Sequence, residues 1–82
     1  MPNMEFTSHA KDMLIERGIV EEWVWRTVNA PDRKRRHPDD DNMHYTKMLG
    51  ETQGRVLHVI VNDHYQPNRI VTVFFDRRLR KK

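Results

Sequence analysis

Two hydrophobic rhythms divide this chain. From Phe6 to Asn29 the apolar positions recur at helical spacing, and from Met43 to Asp76 they fall in short β-type runs. Thr7 or Ser8 is placed to accept a bond from an orphan amide of a first helical turn. Ala10, Met13, Leu14 and Arg17 then follow at i, i+3, i+4 and i+7. Gly18 stands where a helix ends in the left-handed conformation, and Ile19 is the apolar residue that folds back after it. A second helix is predicted from about Val20 to Asn29, opened by Glu21 and Glu22 and closed before Pro31.

Beyond Pro31 the period changes. Residues 33–42 are polar, with Pro38 and three consecutive aspartates, and predict at most a short edge strand followed by a loop. Residues 43–49, 55–62 (RVLHVIVN) and 69–76 (RIVTVFFD) predict three antiparallel strands, the last two joined by a loop over 62–68. The expected fold is therefore α+β: two short N-terminal helices packed on one face of a three- to four-stranded antiparallel sheet. Alternation puts Leu57, Val59 and Val61 on one face with Val71, Val73 and Phe75, beneath the helices. The other face would carry Val56, His58 and Ile60 near Ile70, Thr72 and Phe74. A solvated face would be more polar, so a dimer mate, a partner helix or a ligand is expected to cover it.

Composition narrows the class. A chain of 82 residues with 37% hydrophobic and 33% charged residues is one domain with a small core. No run reaches the roughly 18 apolar residues of a membrane span, and no apolar segment follows a basic start, so a cytoplasmic protein without membrane contact is expected. The absence of cysteine removes disulfides and thiolate chemistry. Net charge is +3, concentrated in Arg33, Lys34, Arg35 and Arg36 and in a basic, flexible tail over 77–82 that begins with Arg77 and Arg78. Such blocks point to a polyanion, with nucleic acid as the default partner.

Metal-independent RNA cleavage needs a proton acceptor, a proton donor and a cation for the phosphate, roles suited to histidine and arginine. The candidates are His58, Tyr45, His9 and Arg17, with Arg55 and Arg69 at the beginnings of strands as further phosphate contacts. Eight residues on a helix amount to about 12 Å along its axis, so His9 and Arg17 form no site by themselves. Each also has a structural role open to it, at the first turn and at the carbonyl end of the helix. His58 facing Thr72 is the sharper pair, with a buried, hydroxyl-bonded histidine as the alternative. Trp23 and Trp25 lie two apart and cannot both face the core, which leaves one for a protein interface or the helix edge. The run from His37 to His44 has no calcium-loop glycine and no zinc spacing, so neither metal nor cofactor is expected.

The runs FTSHAKDMLIERGI, IVEEWVWRTVNAP, GRVLHVIVN and RIVTVFF resemble a family of small bacterial proteins, domain of unknown function 4258. Its pattern is a His-Ala pair, an Arg-Gly-Ile turn, a helix ending near Pro and a sheet ending in Ile-x-Thr-Val. His9, Ala10, Arg17, Gly18, Ile19, Pro31 and Thr72 match it. Met13 departs where relatives place arginine, and Val20 departs where they cap with Ser or Thr. In element order the chain is also similar to BrnT-type toxins and, more distantly, to RelE-type ribonuclease toxins, which implies a compact α+β domain.

Two functions are expected from these features. The first is a toxin-like, RNA-directed domain, a metal-independent ribonuclease or an RNA or ribosome binder, neutralised by an acidic antitoxin-like protein. The second is a non-enzymatic protein-interaction module using the tryptophan helix and the mixed sheet face, which would also serve a homodimer. A His58 ring exposed in a basic cleft with Arg55 or Arg69 would favour the enzyme, and one buried under Phe74 or a dimer mate would favour binding.

Overall fold

A computed structural model describes residues 4–79. Strand β1 (Met4–Phe6) precedes helices α1 (Ser8–Arg17) and α2 (Glu21–Asn29), and β2 (Arg33–Arg36), β3 (Met43–Leu49), β4 (Arg55–Asn62) and β5 (Asn68–Phe75) follow. Short 3-10 turns at Gly50–Thr52 and Arg77–Leu79 follow β3 and β5.

Thr7 caps α1, its Oγ1 accepting the amide of Ala10 at 3.1 Å. The same hydroxyl donates to the Ile70 carbonyl at 3.1 Å, so one side chain starts the helix and ties it to β5. Gly18 ends α1 at φ 62°, and the Ile19 amide reaches back to the Leu14 carbonyl at 2.9 Å. Val20 stands before α2 with no side-chain cap, and Glu21 and Glu22 oppose the positive end of its dipole.

The sheet order is β1-β5-β4-β3-β2. All neighbours are antiparallel except β1, which runs parallel to β5. The expected three- to four-stranded antiparallel sheet is thus a five-stranded mixed one. The added strand is three residues long, too short to show alternation, and is fixed by what it packs against. The Phe6 ring meets the Trp25 ring edge-on at 5.2 Å, and Met4 and Phe6 pack on the core. β2 is the short edge strand the polar stretch allowed, with all four residues exposed.

Both helices cover one face, α1 over β5 and α2 over β3 and β4. Ala10, Ile19, Val24 and Val28 close over Leu57, Val59, Val61, Ile70 and Val73. Ile70, not Val71, fills the last β5 position in this core. An irregularity between Ile60 and Val61 shifts the register by one, and a shift of one turns a side chain to the other face. Both tryptophans are half-buried and turned inward, Trp23 against Phe75 at 6.1 Å and Trp25 against Phe6. Among the described residues no helix is long and apolar enough to cross a membrane. Of the expected flexible tail, residues 77–79 form a turn and 80–82 lie outside the described residues.

Candidate functional site

Cross-strand pairing sets two rows of side chains on the face the helices leave open. Arg33, Thr46, His58 and Phe74 form one row, and Arg35, His44, Ile60 and Thr72 the other. His58 therefore neighbours Phe74 and Thr46, while the expected partner Thr72 stands opposite Ile60. The Phe74 ring stacks on His58 at 4.7 Å and 24°. The first row, with Arg35, His44, His37 and the last described turn, walls a groove of about 440 Å³.

A line of hydrogen bonds runs along its floor. His58 Nδ1 lies 3.0 Å from Asp76, and His58 Nε2 lies 2.7 Å from His44 Nδ1. His44 Nε2 in turn lies 3.0 Å from Asp40. Both rings are only 8% exposed. The Arg78 guanidinium, more than the bond from His58, holds the Asp76 carboxyl down to about 2, so this carboxylate is ionised and accepts. Burial pushes His58 below the ordinary histidine range, outweighing the pull of Asp76. A neutral His58 facing an ionised Asp76 carries its proton on Nδ1, which leaves Nε2 to accept from the N–H at Nδ1 of His44. All four ring nitrogens thus have partners inside the protein.

Arg33 and Arg35 line the same groove from the edge strand, and both are exposed. Among the described residues neither has a carboxylate within 4.0 Å. The other expected phosphate contacts scatter. Lys34 and Arg36 alternate away from the open face, Lys34 over the Tyr45 ring at 5.4 Å and Arg36 paired with Asp63 at 2.7 Å. Arg55 lies over Phe75 and Arg69 over Tyr65, each at 3.9 Å from the ring centre. Arg77 lines a separate hollow with Gln53 and Arg55.

The expected catalytic set does not assemble. Tyr45 is buried in the helix-side core, on the opposite face of the sheet from His58. His9 is exposed on the first turn of α1. Arg17 donates to the Val73 carbonyl at 3.5 Å, on the part of β5 that β1 leaves unpaired. His58 instead gathers His44, Asp40, Asp76 and Arg78. Alternation along β3 carried the signal for His44, since His44, Thr46 and Met48 share one face. Alternation along β5 likewise put Asp76 on the face of Phe74, and its amide extends the ladder to the Val56 carbonyl at 2.8 Å, which brings its carboxylate to His58.

No curated protein and no solved structure matches the chain significantly. A family model does match, over residues 6–75, from the parallel edge strand to the end of β5. The chain belongs to the family described as Domain of unknown function (DUF4258).

Proposed function

We propose that the chain is an RNA-directed binding domain that holds a single strand by its phosphates along the open sheet face. The observation that carries this reading is the placement of Arg33 and Arg35 side by side on the edge strand, over a groove floored by imidazole and aromatic rings. Guanidinium grips phosphate through paired bonds, and stacked rings on an open sheet accept unpaired bases. The His37 ring and the Thr46 hydroxyl line the same groove and are groups of the kind that bond a 2′-hydroxyl.

Binding is favoured over cleavage by the state of the histidines. His58 is stacked under Phe74, and the ring nitrogens of His44 and His58 are all engaged within the protein, so neither is set as a free base. The inward packing of Trp23 and Trp25, both half-buried, leaves less of the tryptophan helix for a protein interface and so supports the RNA reading over the interaction module. An acidic protein partner, as the toxin-like reading requires, would compete for the same two arginines.

The test is fluorescence anisotropy of a labelled single-stranded RNA, in chelator, over a series of salt concentrations. Contacts from Arg33 and Arg35 to two phosphates predict a log–log salt slope of about −1.4. Unchanged affinity in the Arg33→Ala, Arg35→Ala double variant would remove the reading. RNA shortening that His58→Gln abolishes would replace it with a ribonuclease.

A further inference from the structure

The turn between β2 and β3 holds an arrangement that RNA binding does not require. One ring nitrogen of His37, one ring nitrogen of His44 and a carboxylate oxygen of Asp40 all lie within 4.8 Å of one another. The sequence spacing, His-x-x-Asp-x-x-x-His, fits no zinc pattern along a single helix. The hairpin makes it compact. The His37 amide donates to the Asn42 carbonyl at 2.9 Å, and the Asp41 amide returns to the His37 carbonyl at 2.9 Å. Asp41 turns the chain at φ 57°, and the Asn42 amide fixes Asp40 through Oδ1 at 2.9 Å. The His37 ring is stacked on His44 at 4.6 Å.

A buried ring also points at the same position. His44 Nε2 lies 3.0 and 3.3 Å from the two oxygens of Asp40, while its Nδ1 is held by His58 at 2.7 Å. The His44 side chain is only 9% exposed and its Nε2 is aimed at this position.

We propose that His37, Asp40 and His44 bind a divalent transition metal, with zinc the ion of best chemical fit. Two imidazole nitrogens and one carboxylate oxygen suit a borderline ion and disfavour calcium or magnesium, which take oxygen. Metal–ligand bonds of about 2.0–2.1 Å in a tetrahedron put ligand atoms about 3.4 Å apart. His44 and Asp40 already have that separation, and His37, one-third exposed, closes the remainder. The fourth position opens to water in the groove. His58 and Asp76 then act as the outer support such sites use, fixing the His44 tautomer through Nδ1. The site shares His37 and His44 with the groove of the RNA reading, but neither Arg33 nor Arg35 takes part, so the arginine variants and the ligand variants test the two separately.

The experiment is calorimetric titration of the full chain, freed of metal by chelator and dialysis, with zinc chloride near neutral pH. The visible spectrum with cobalt(II) is recorded alongside. One zinc per chain is expected, with cobalt bands of a four-coordinate site. His37→Ala and Asp40→Asn, both away from the core, should each weaken zinc by more than about tenfold, while Asp39→Asn leaves it unchanged. Circular dichroism confirms the fold of each variant. Absence of saturable binding would overturn the proposal, as would variants at His37 and Asp40 that bind zinc like the parent chain.

Discussion

His44 and His58 lie on neighbouring strands with Nδ1 of the first 2.7 Å from Nε2 of the second, and each passes its other nitrogen to an aspartate. A polar line this deep in a small sheet is stable only while every member is satisfied. Among the described residues no buried side-chain nitrogen or oxygen lacks a partner.

Removing the middle of that line should therefore cost far more than removing a surface histidine. His58→Ala takes a partner from both Asp76 and His44 and leaves a gap beside Phe74, and should lose about 3 kcal/mol of stability. His9→Ala, at an exposed first-turn position, should stay within about 0.5 kcal/mol. Urea denaturation of the two variants checks the contrast, and equal midpoints would contradict the satisfied-line account.

Acid should unfold the protein in two stages. His58 is held below its ordinary value of 6.5, so the folded state resists a proton that the unfolded chain accepts. Its contribution is full above about pH 6.5 and is lost as pH falls from there. Asp76 is held at about 2 against an ordinary 3.8, so its contribution is full above about pH 4 and is lost as pH falls toward 2. The Asp76 share is about 2 kcal/mol. Urea midpoints measured from pH 8 to pH 2 should show both declines, and Asp76→Asn should remove the lower one.

The basic residues should divide into two functional groups. Arg33→Ala with Arg35→Ala should reduce the RNA salt slope by about 1.4, two phosphate contacts' worth. Arg55→Ala with Arg69→Ala should leave the slope nearly unchanged, because those guanidinium groups already lie on Phe75 and Tyr65. Anisotropy titrations of both pairs supply the comparison.

Gly18 offers a test of backbone alone. It holds φ 62°, and a Cβ added there would meet nothing within 4 Å. Gly18→Ala should thus cost about 1 kcal/mol from the left-handed conformation and nothing from crowding. A neutral result in thermal denaturation would mean that the turn between the helices relaxes.

The helices and the three long strands were legible because each carries its own period and its own stops, such as Thr7, Gly18 and Pro31. β1 was not, since three residues carry no period and its seat depends on Trp25 and β5. His58 was legible as a histidine out of place in a strand. Of its partners, His44 and Asp76 were within reach of the alternation along β3 and β5, but only the sheet register sets them beside His58, and Asp40 comes from the hairpin between β2 and β3. The Val71 core position failed because of the register shift near Ile60, whereas the Thr72 pairing failed because a slip of two residues keeps both side chains on one face and alternation alone does not set it.

The bond between Thr7 and Ile70 joins positions 63 apart, and β1 and α1 both rest on β5. On a ribosome the first strand and helix are therefore made well before the surface they settle on. These two elements, although made before β5, dock only once it has been made, so folding of the domain waits on β5 instead of following the order of synthesis.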